Sequence, residues 1–135
     1  MSFLPVYLDS SALLKLVLPE READALRSAL ARWPDWVTSE LSAIECRRAV
    51  RRIHVAAGLA PRMEQILSAC TLLRFDPALV RLAGTIGPPT LRSLDAIHLA
   101  AALSLGDYPE AFVTYDERLA AAARAAGLDV VAPGV

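Results

Sequence analysis

Short apolar runs alternate with helical stretches along the chain, and this pattern constrains the fold more than any other feature. Val6 to Leu8, Trp36 to Thr38, Leu73 to Phe75, Ala111 to Tyr115 and Leu128 to Val131 read as strands, each flanked by sequence of helical periodicity. Val6 to Leu8 and Ala111 to Val113 are continuously apolar rather than alternating, which is the pattern of strands buried on both faces. A parallel sheet covered by helices on both sides follows, so the fold class is α/β with a three-layer α/β/α arrangement.

The intervening segments carry their own start and stop signals. Ser39 to Ala57 spaces Leu41, Ile44, Val50 and Ile53 at helical intervals and predicts the longest helix, with Gly58 as its stop. Further helices are expected from Ser10 to the breaker Pro19, within Glu20 to Ala31, over Arg62 to Leu72, from Pro77 onward, over Ser93 to Leu105 and over Asp116 to Ala126. Gly87-Pro88-Pro89 marks a loop. With 135 residues, 55% of them hydrophobic, and no repeat or linker, residues 1–135 are expected to form one domain.

Composition excludes some classes. No stretch approaches the roughly 18 consecutive apolar residues of a membrane span. The N-terminal run lacks a basic leader and carries Asp9 in its most apolar part, so a cytoplasmic protein is expected. Cys46 and Cys70 fit no metal or redox spacing and read as small buried hydrophobes. A net charge of −1 offers no global field for a polyanion, so nucleic-acid contact would need a local basic patch or bound cations. Lys15 is the only lysine among the 14 basic residues.

Ligand sites in open parallel sheets form beyond the carboxyl ends of the strands. Asp9 and Asp116 sit there, directly after two of the apolar runs, while Asp95 occupies a first helical turn and Glu45 an early turn of the longest helix. Each acid has an ordinary structural use. Asp9 and Asp116 can cap helices, Asp95 can favour a helix dipole, and Glu45 can complete a capping box with Ser42. Four carboxylates projected onto one sheet edge nevertheless repel unless cations neutralise them. An all-oxygen set without a His/Cys cluster favours Mg²⁺ or Mn²⁺, and such a site suits phosphodiester hydrolysis.

The segments YLDSSALLKL around Asp9, SELSAIECRRA around Glu45, LRSLDAIHLAAAL around Asp95 and VTYDERLAAAARAAGLDVVAPG around Asp116 resemble PIN domains of the VapC toxin type, in order and over essentially the whole chain. The resemblance implies a five-stranded, mainly parallel sheet and a metal-dependent endoribonuclease, the toxin of a type II toxin–antitoxin system. It also implies homodimerisation and inhibition by a VapB-like antitoxin. It places the catalytic and metal-binding acids at Asp9, Glu45, Asp95 and Asp116, with Ser10 and Thr114 as small hydroxyl residues supporting them.

Other residues carry weaker expectations. Arg47, Arg48, Arg51 and Arg52 form like-charged i,i+4 pairs that read either as a solvated face or as a contact for RNA or antitoxin. His98, three residues after Asp95, is expected to be packed or hydrogen-bonded rather than a base. Glu40 and Glu117 are rival acids, Glu40 lying about 140° around the helix from Glu45. Trp33, Trp36 and Tyr115 are expected to pack rather than stack on bases. Two alternative functions remain open: a non-catalytic Mg²⁺-binding regulatory module similar to a phosphorylated receiver, and a PIN-like nuclease acting on DNA.

Overall fold

The computed structural model describes residues 4–53, 58–107 and 109–135. Five strands, β1 (Val6–Leu8), β2 (Trp36–Ser39), β3 (Cys70–Leu73), β4 (Ala111–Val113) and β5 (Val130–Val131), form one sheet in the order β3-β2-β1-β4-β5. Every pairing is parallel, with Tyr7 opposite both Val37 and Phe112. Seven helices are seen among the described residues: α1 (Ser10–Lys15), α2 (Ala23–Leu30), α3 (Glu40–Arg52), α4 (Leu59–Ser68), α5 (Pro77–Thr85), α6 (Ser93–Leu103) and α7 (Glu117–Ala125).

Successive strand side chains point to opposite faces, which divides the core in two. Val6 and Leu8 of β1, with Ala111 and Val113 of β4, pack on Leu13, Leu26, Cys46 and Met63 from α1 to α4. Tyr7 and Phe112, from the same two strands, pack on Leu79, Leu99, Leu119 and Ala123 from α5 to α7. The three-layer α/β/α arrangement with a five-stranded parallel sheet is therefore the one expected. The Tyr7 and Phe112 rings stack at 5.3 Å between centroids.

From β1 the chain proceeds outward through β2 to β3, then crosses back to place β4 on the other side of β1. The switch in direction lies between β1 and β4, where open parallel sheets leave a crevice at their carboxyl edge. The segments leaving these strands are fixed by side-chain caps. Asp9 accepts from Ala12 N to start α1, and Asp116 accepts from Arg118 N and Leu119 N to start α7. The far end of the six-residue α1 is secured by Arg27 and Arg62, both of which donate to Leu16 O. At Gly87, a positive φ of 73° would strain any residue with a Cβ, and Leu91 Cδ2, 2.8 Å from where that Cβ would stand, would have to move aside.

Strands β4 and β5 and helix α6 are each two residues shorter than the sequence reading, and three other elements differ from it more. Helix α3 ends at Arg52, with Ile53 extended at φ −97° and ψ 107°, while residues 54–57 of the expected helix lie outside the described residues. The like-charged pairs Arg47/Arg51 and Arg48/Arg52 weaken the turns in which the helix stops, and Gly58 serves as the N-cap of α4 instead. Helix α4 spans Leu59–Ser68 rather than residues 62–72. Strand β3 is Cys70–Leu73, not Leu73 to Phe75; it is an edge strand whose Thr71 and Leu72 are exposed, so its burial pattern lacks the signature of the inner strands.

Candidate functional site

Asp9, Glu45, Asp95 and Asp116 line one cleft of about 400 Å³ beyond the ends of β1 and β4, with Ser10, Ser11, Arg92, Ser93 and His98 among the other lining residues. Four carboxylates thus share a space in which Arg92 is the one side chain of fixed positive charge among the described lining residues.

Asp9 is the most enclosed of the four, only 3% exposed at the end of the central strand. Its Oδ1 accepts from Ser11 Oγ at 2.7 Å and from Ala12 N at 2.9 Å, and its Oδ2 accepts from Thr114 Oγ1 at 2.6 Å. Burial raises the Asp9 pKa, against the opposing effect of His98 and these donors. Ser11 reaches further, because its Oγ also accepts from Tyr115 N at 2.9 Å and ties the loop after β4 to the start of α1.

Glu45 comes from the second turn of α3 and faces α1 and α6. Its Oε1 accepts from Ser10 Oγ at 2.5 Å and meets His98 Nε2 at 2.8 Å. Burial pushes the Glu45 carboxyl up, but hydrogen bonds from His98 and Ser10 outweigh it and hold the pKa below the usual value. The capping box with Ser42 does not form: Ser39 caps α3 by accepting from Ser42 N, and the Ser42 hydroxyl is buried without a partner among the described residues.

Asp95 differs from the other three. It lies in the first turn of α6, 8% exposed, and no hydrogen bond reaches its carboxylate among the described residues. Burial and the charge of Asp116 raise its pKa, while Arg92 and Arg118 act in the opposite sense. Asp116 Oδ1 is engaged in capping α7, at 2.9 Å from Arg118 N and 3.2 Å from Leu119 N.

Ser10 and Thr114 each donate to an acid of the cleft, Ser10 to Glu45 and Thr114 to Asp9. His98 is 4% exposed and hydrogen-bonded at both ring nitrogens, with Tyr7 OH at 3.0 Å from Nδ1. His98 is packed and hydrogen-bonded, as the sequence reading expected, but that reading gave Tyr7 no part beyond its strand and passed over Ser11. The only local signal for Ser11 was the Ser-Ser doublet following a strand-end acid.

Glu40 and Glu117 do not line the cleft. Trp33, Trp36 and Tyr115 are partly buried packing residues; Tyr115 OH donates to Pro133 O and Lys15 Nζ stands 4.6 Å from its ring centre. Both cysteines are free thiols, with burial pushing Cys46 up to about 12. The α3 arginines face elsewhere: Arg47 pairs with Glu64 of α4 through Nε and Nη2, and Arg47 and Arg51 line a separate recess between those helices. Arg48, Arg51 and Arg52 are exposed and make no ion pair among the described residues.

The donor chemistry of the cleft is that of a hard divalent cation: oxygen atoms only at the acids, an excess of negative charge, and one carboxylate, Asp95, left without a hydrogen bond. Among the described residues, no three acidic, cysteine or histidine groups are drawn together at ligating positions around one point. Mg²⁺ does not require such a cage, since it keeps several waters and is commonly held by one or two carboxylates plus substrate phosphates.

The PIN domain family profile matches residues 6–125, a span that includes all four acids and strands β1 to β4. The chain belongs to the PIN-domain family. It is 41% identical over 133 residues to Ribonuclease VapC47 of Mycobacterium tuberculosis, covering 96% of this chain and 97% of that protein. Among solved structures, this PIN domain is similar to VapC20 of Mycobacterium tuberculosis, a toxin that cleaves the sarcin–ricin loop, with a TM-score of 0.73 and 17% identity over 95% of this chain and 99% of the other. It is similar also to a chain of a toxin–antitoxin complex from Klebsiella pneumoniae, with a TM-score of 0.71 and 22% identity over 95% and 97% of the two chains. No helix among the described residues of this PIN domain is long and apolar enough to cross a membrane.

Proposed function

We propose that this chain is the toxin of a type II toxin–antitoxin pair, a VapC-type endoribonuclease that hydrolyses RNA phosphodiester bonds at the cleft of Asp9, Glu45, Asp95 and Asp116. The observation that carries this reading is the convergence of four sequence-distant carboxylates on the crevice between β1 and β4. Near-full-length identity to a protein named as a VapC ribonuclease supports the reaction class. Likeness to a chain of a toxin–antitoxin complex supports a fold compatible with antitoxin binding.

Asp9, Asp95 and Asp116 would hold Mg²⁺ or Mn²⁺, with Glu45 completing the site. The ion would supply an activated water and stabilise charge developing on the leaving oxygen. The chain's own contribution is to hold the acids in place: Ser11, Ala12 N and Thr114 keep the Asp9 carboxylate oriented, and Ser10 does so for Glu45. Arg92 and Arg118, exposed beside the cleft and unpaired among the described residues, would receive phosphates flanking the scissile one. The α3 arginines, which do not line the cleft, would contact an acidic segment of a VapB-like antitoxin rather than RNA. We further propose that residues 1–135 act as a single PIN domain, that it homodimerises, and that it works in the cytoplasm.

The direct test is cleavage of total RNA and of a matched single-stranded DNA by purified protein, with Mg²⁺, Mn²⁺ or EDTA, beside the Asp9→Asn variant. RNA cutting that needs the metal and vanishes in the variant is the expected result. DNA cutting, or no cutting by folded protein under any metal, would overturn it.

A further inference from the structure

A hydrogen-bonded chain leads inward from the cleft, from part-buried Glu45 to buried Tyr7, and crosses three elements of the fold. Tyr7 of β1 is 0% exposed and its hydroxyl lies 3.0 Å from His98 Nδ1; His98 of α6 is 4% exposed and its Nε2 lies 2.8 Å from Glu45 Oε1 on α3. The same Oε1 accepts from Ser10 Oγ, and Oε2 has no hydrogen bond among the described residues. Tyr7 and His98 are not free to reorient. Their rings meet edge to face with centroids 6.1 Å apart, and Tyr7 is further pinned by its stack on Phe112.

Donor and acceptor roles along the chain follow from its ends. An ionised carboxylate can only accept, so the hydrogen between His98 and Glu45 belongs to Nε2. At the other end, a neutral imidazole with its hydrogen on Nε2 has a bare Nδ1 that can only accept, so the hydrogen between the two rings belongs to the Tyr7 hydroxyl. A single tautomer satisfies both contacts.

We infer that His98 is a positioning residue for Glu45: the Tyr7 hydroxyl donates to His98 Nδ1, His98 Nε2–H donates to Glu45 Oε1, and Glu45 Oε2 is thereby left facing outward for a ligand. The inference rests on the proposed role of Glu45 at a divalent cation but concerns the chain's own geometry. Ser10 and His98 together take one carboxylate oxygen and prevent the side chain from turning its second oxygen back into the protein. Histidine, not a simple apolar filler, is required at a position whose neighbours Ile97, Leu99 and Ala100 are all apolar.

The side-chain nitrogen spectrum of ¹⁵N-histidine-labelled full chain, recorded without metal at neutral pH, tests the relay directly. The chain has two histidines, so the resonances of His98 are assigned by their loss in His98→Gln. The expected pattern has the hydrogen on Nε2 and a bare Nδ1, with Tyr7→Phe disturbing Nδ1. A hydrogen on Nδ1 with Nε2 bare, or rapid averaging between the two, would overturn the inference whether or not the protein cuts RNA. Mn²⁺ binding followed by calorimetry adds a second readout. His98→Leu should weaken it about 10- to 100-fold, and His98→Gln, whose amide nitrogen can reach the place of Nε2, should recover most of the loss. Equal affinities for wild type and the Leu variant would also overturn it. A wild-type protein that shows the expected tautomer but neither binds Mn²⁺ nor cuts RNA would tell against the proposed function alone.

Discussion

Thr114 Oγ1 donates to Asp9 Oδ2 at 2.6 Å, joining the ends of two strands that are neighbours in the sheet but lie 105 residues apart in the chain. Both residues are buried, so the contact is made away from water. Replacing Thr114 by valine keeps the volume and removes the donor. Leaving a buried carboxylate oxygen unpaired should lower unfolding stability by about 1 to 3 kcal/mol and RNA cleavage by at least about tenfold. Urea denaturation and initial rates on one RNA substrate measure the two effects, and a variant matching wild type in both would show that this bond does not orient Asp9.

Asp95 gives the clearest pH dependence. Burial and the charge of Asp116 raise its pKa above the ordinary 3.8, so the fold prefers the protonated form. The resulting stabilisation is fully present below 3.8 and is lost as pH rises through the raised value, which leaves the ionised group weakening the fold at pH 7. Without metal, Asp95→Asn should therefore melt at a higher temperature than wild type at pH 7, and the gap should close as pH falls toward 3.8. Glu45 behaves oppositely: its lowered pKa contributes stability that is present above 4.5 and lost as pH falls through the lowered value. Thermal melts of both proteins from pH 4 to 7 check this; a less stable Asn variant at pH 7 would contradict it.

Divalent cations should reverse the same penalty. A ligand that binds only the folded chain stabilises it by about 2.7 kcal/mol at 100 times its dissociation constant. Mn²⁺ is expected to raise the melting temperature of wild type at pH 7, EDTA to cancel the rise, and Asp95→Asn to abolish it. An Mn²⁺ shift retained in full by the Asn variant would move the ion away from this cleft.

Two sets of arginines should separate in their effects. Arg92→Ala and Arg118→Ala should raise KM for RNA with little change in kcat, and each should flatten the plot of log affinity against log salt by about 0.7. Arg48→Ala, Arg51→Ala and Arg52→Ala should leave RNA cleavage intact and weaken binding of the antitoxin. Fluorescence anisotropy with a short RNA at several salt concentrations, and pull-down with the antitoxin, distinguish the sets. The reverse assignment would follow if the α3 variants lost RNA affinity instead.

The inner strands β1 and β4 and the placement of Asp9, Asp95 and Asp116 were legible because the signals that mark them are local, an apolar run followed by Asp or an acid in a first helical turn, whereas Glu45 lies a turn further into α3. Strand β3 was misplaced because an edge strand exposes Thr71 and Leu72 and so loses the continuous burial that identifies β1 and β4. The end of α3 was misread because the hydrophobic spacing continued past Arg52 while the charge pattern did not favour its continuation. Glu45 was assigned a capping alternative that its own helix does not use. The role of His98 depends on Tyr7 and Glu45, 91 and 53 residues away, a distance over which no periodicity carries information.

Asp9 begins a helix with the same Oδ1 that Ser11 grips, while Asp95 accepts no hydrogen bond from its own helix among the described residues. The two acids are therefore under different constraints. A relative that had ceased to cleave RNA would retain an aspartate at the end of its central strand for the sake of its backbone, and would be free to shed the one in α6. In deciding which members of such a lineage are still active, the residue to inspect is the second.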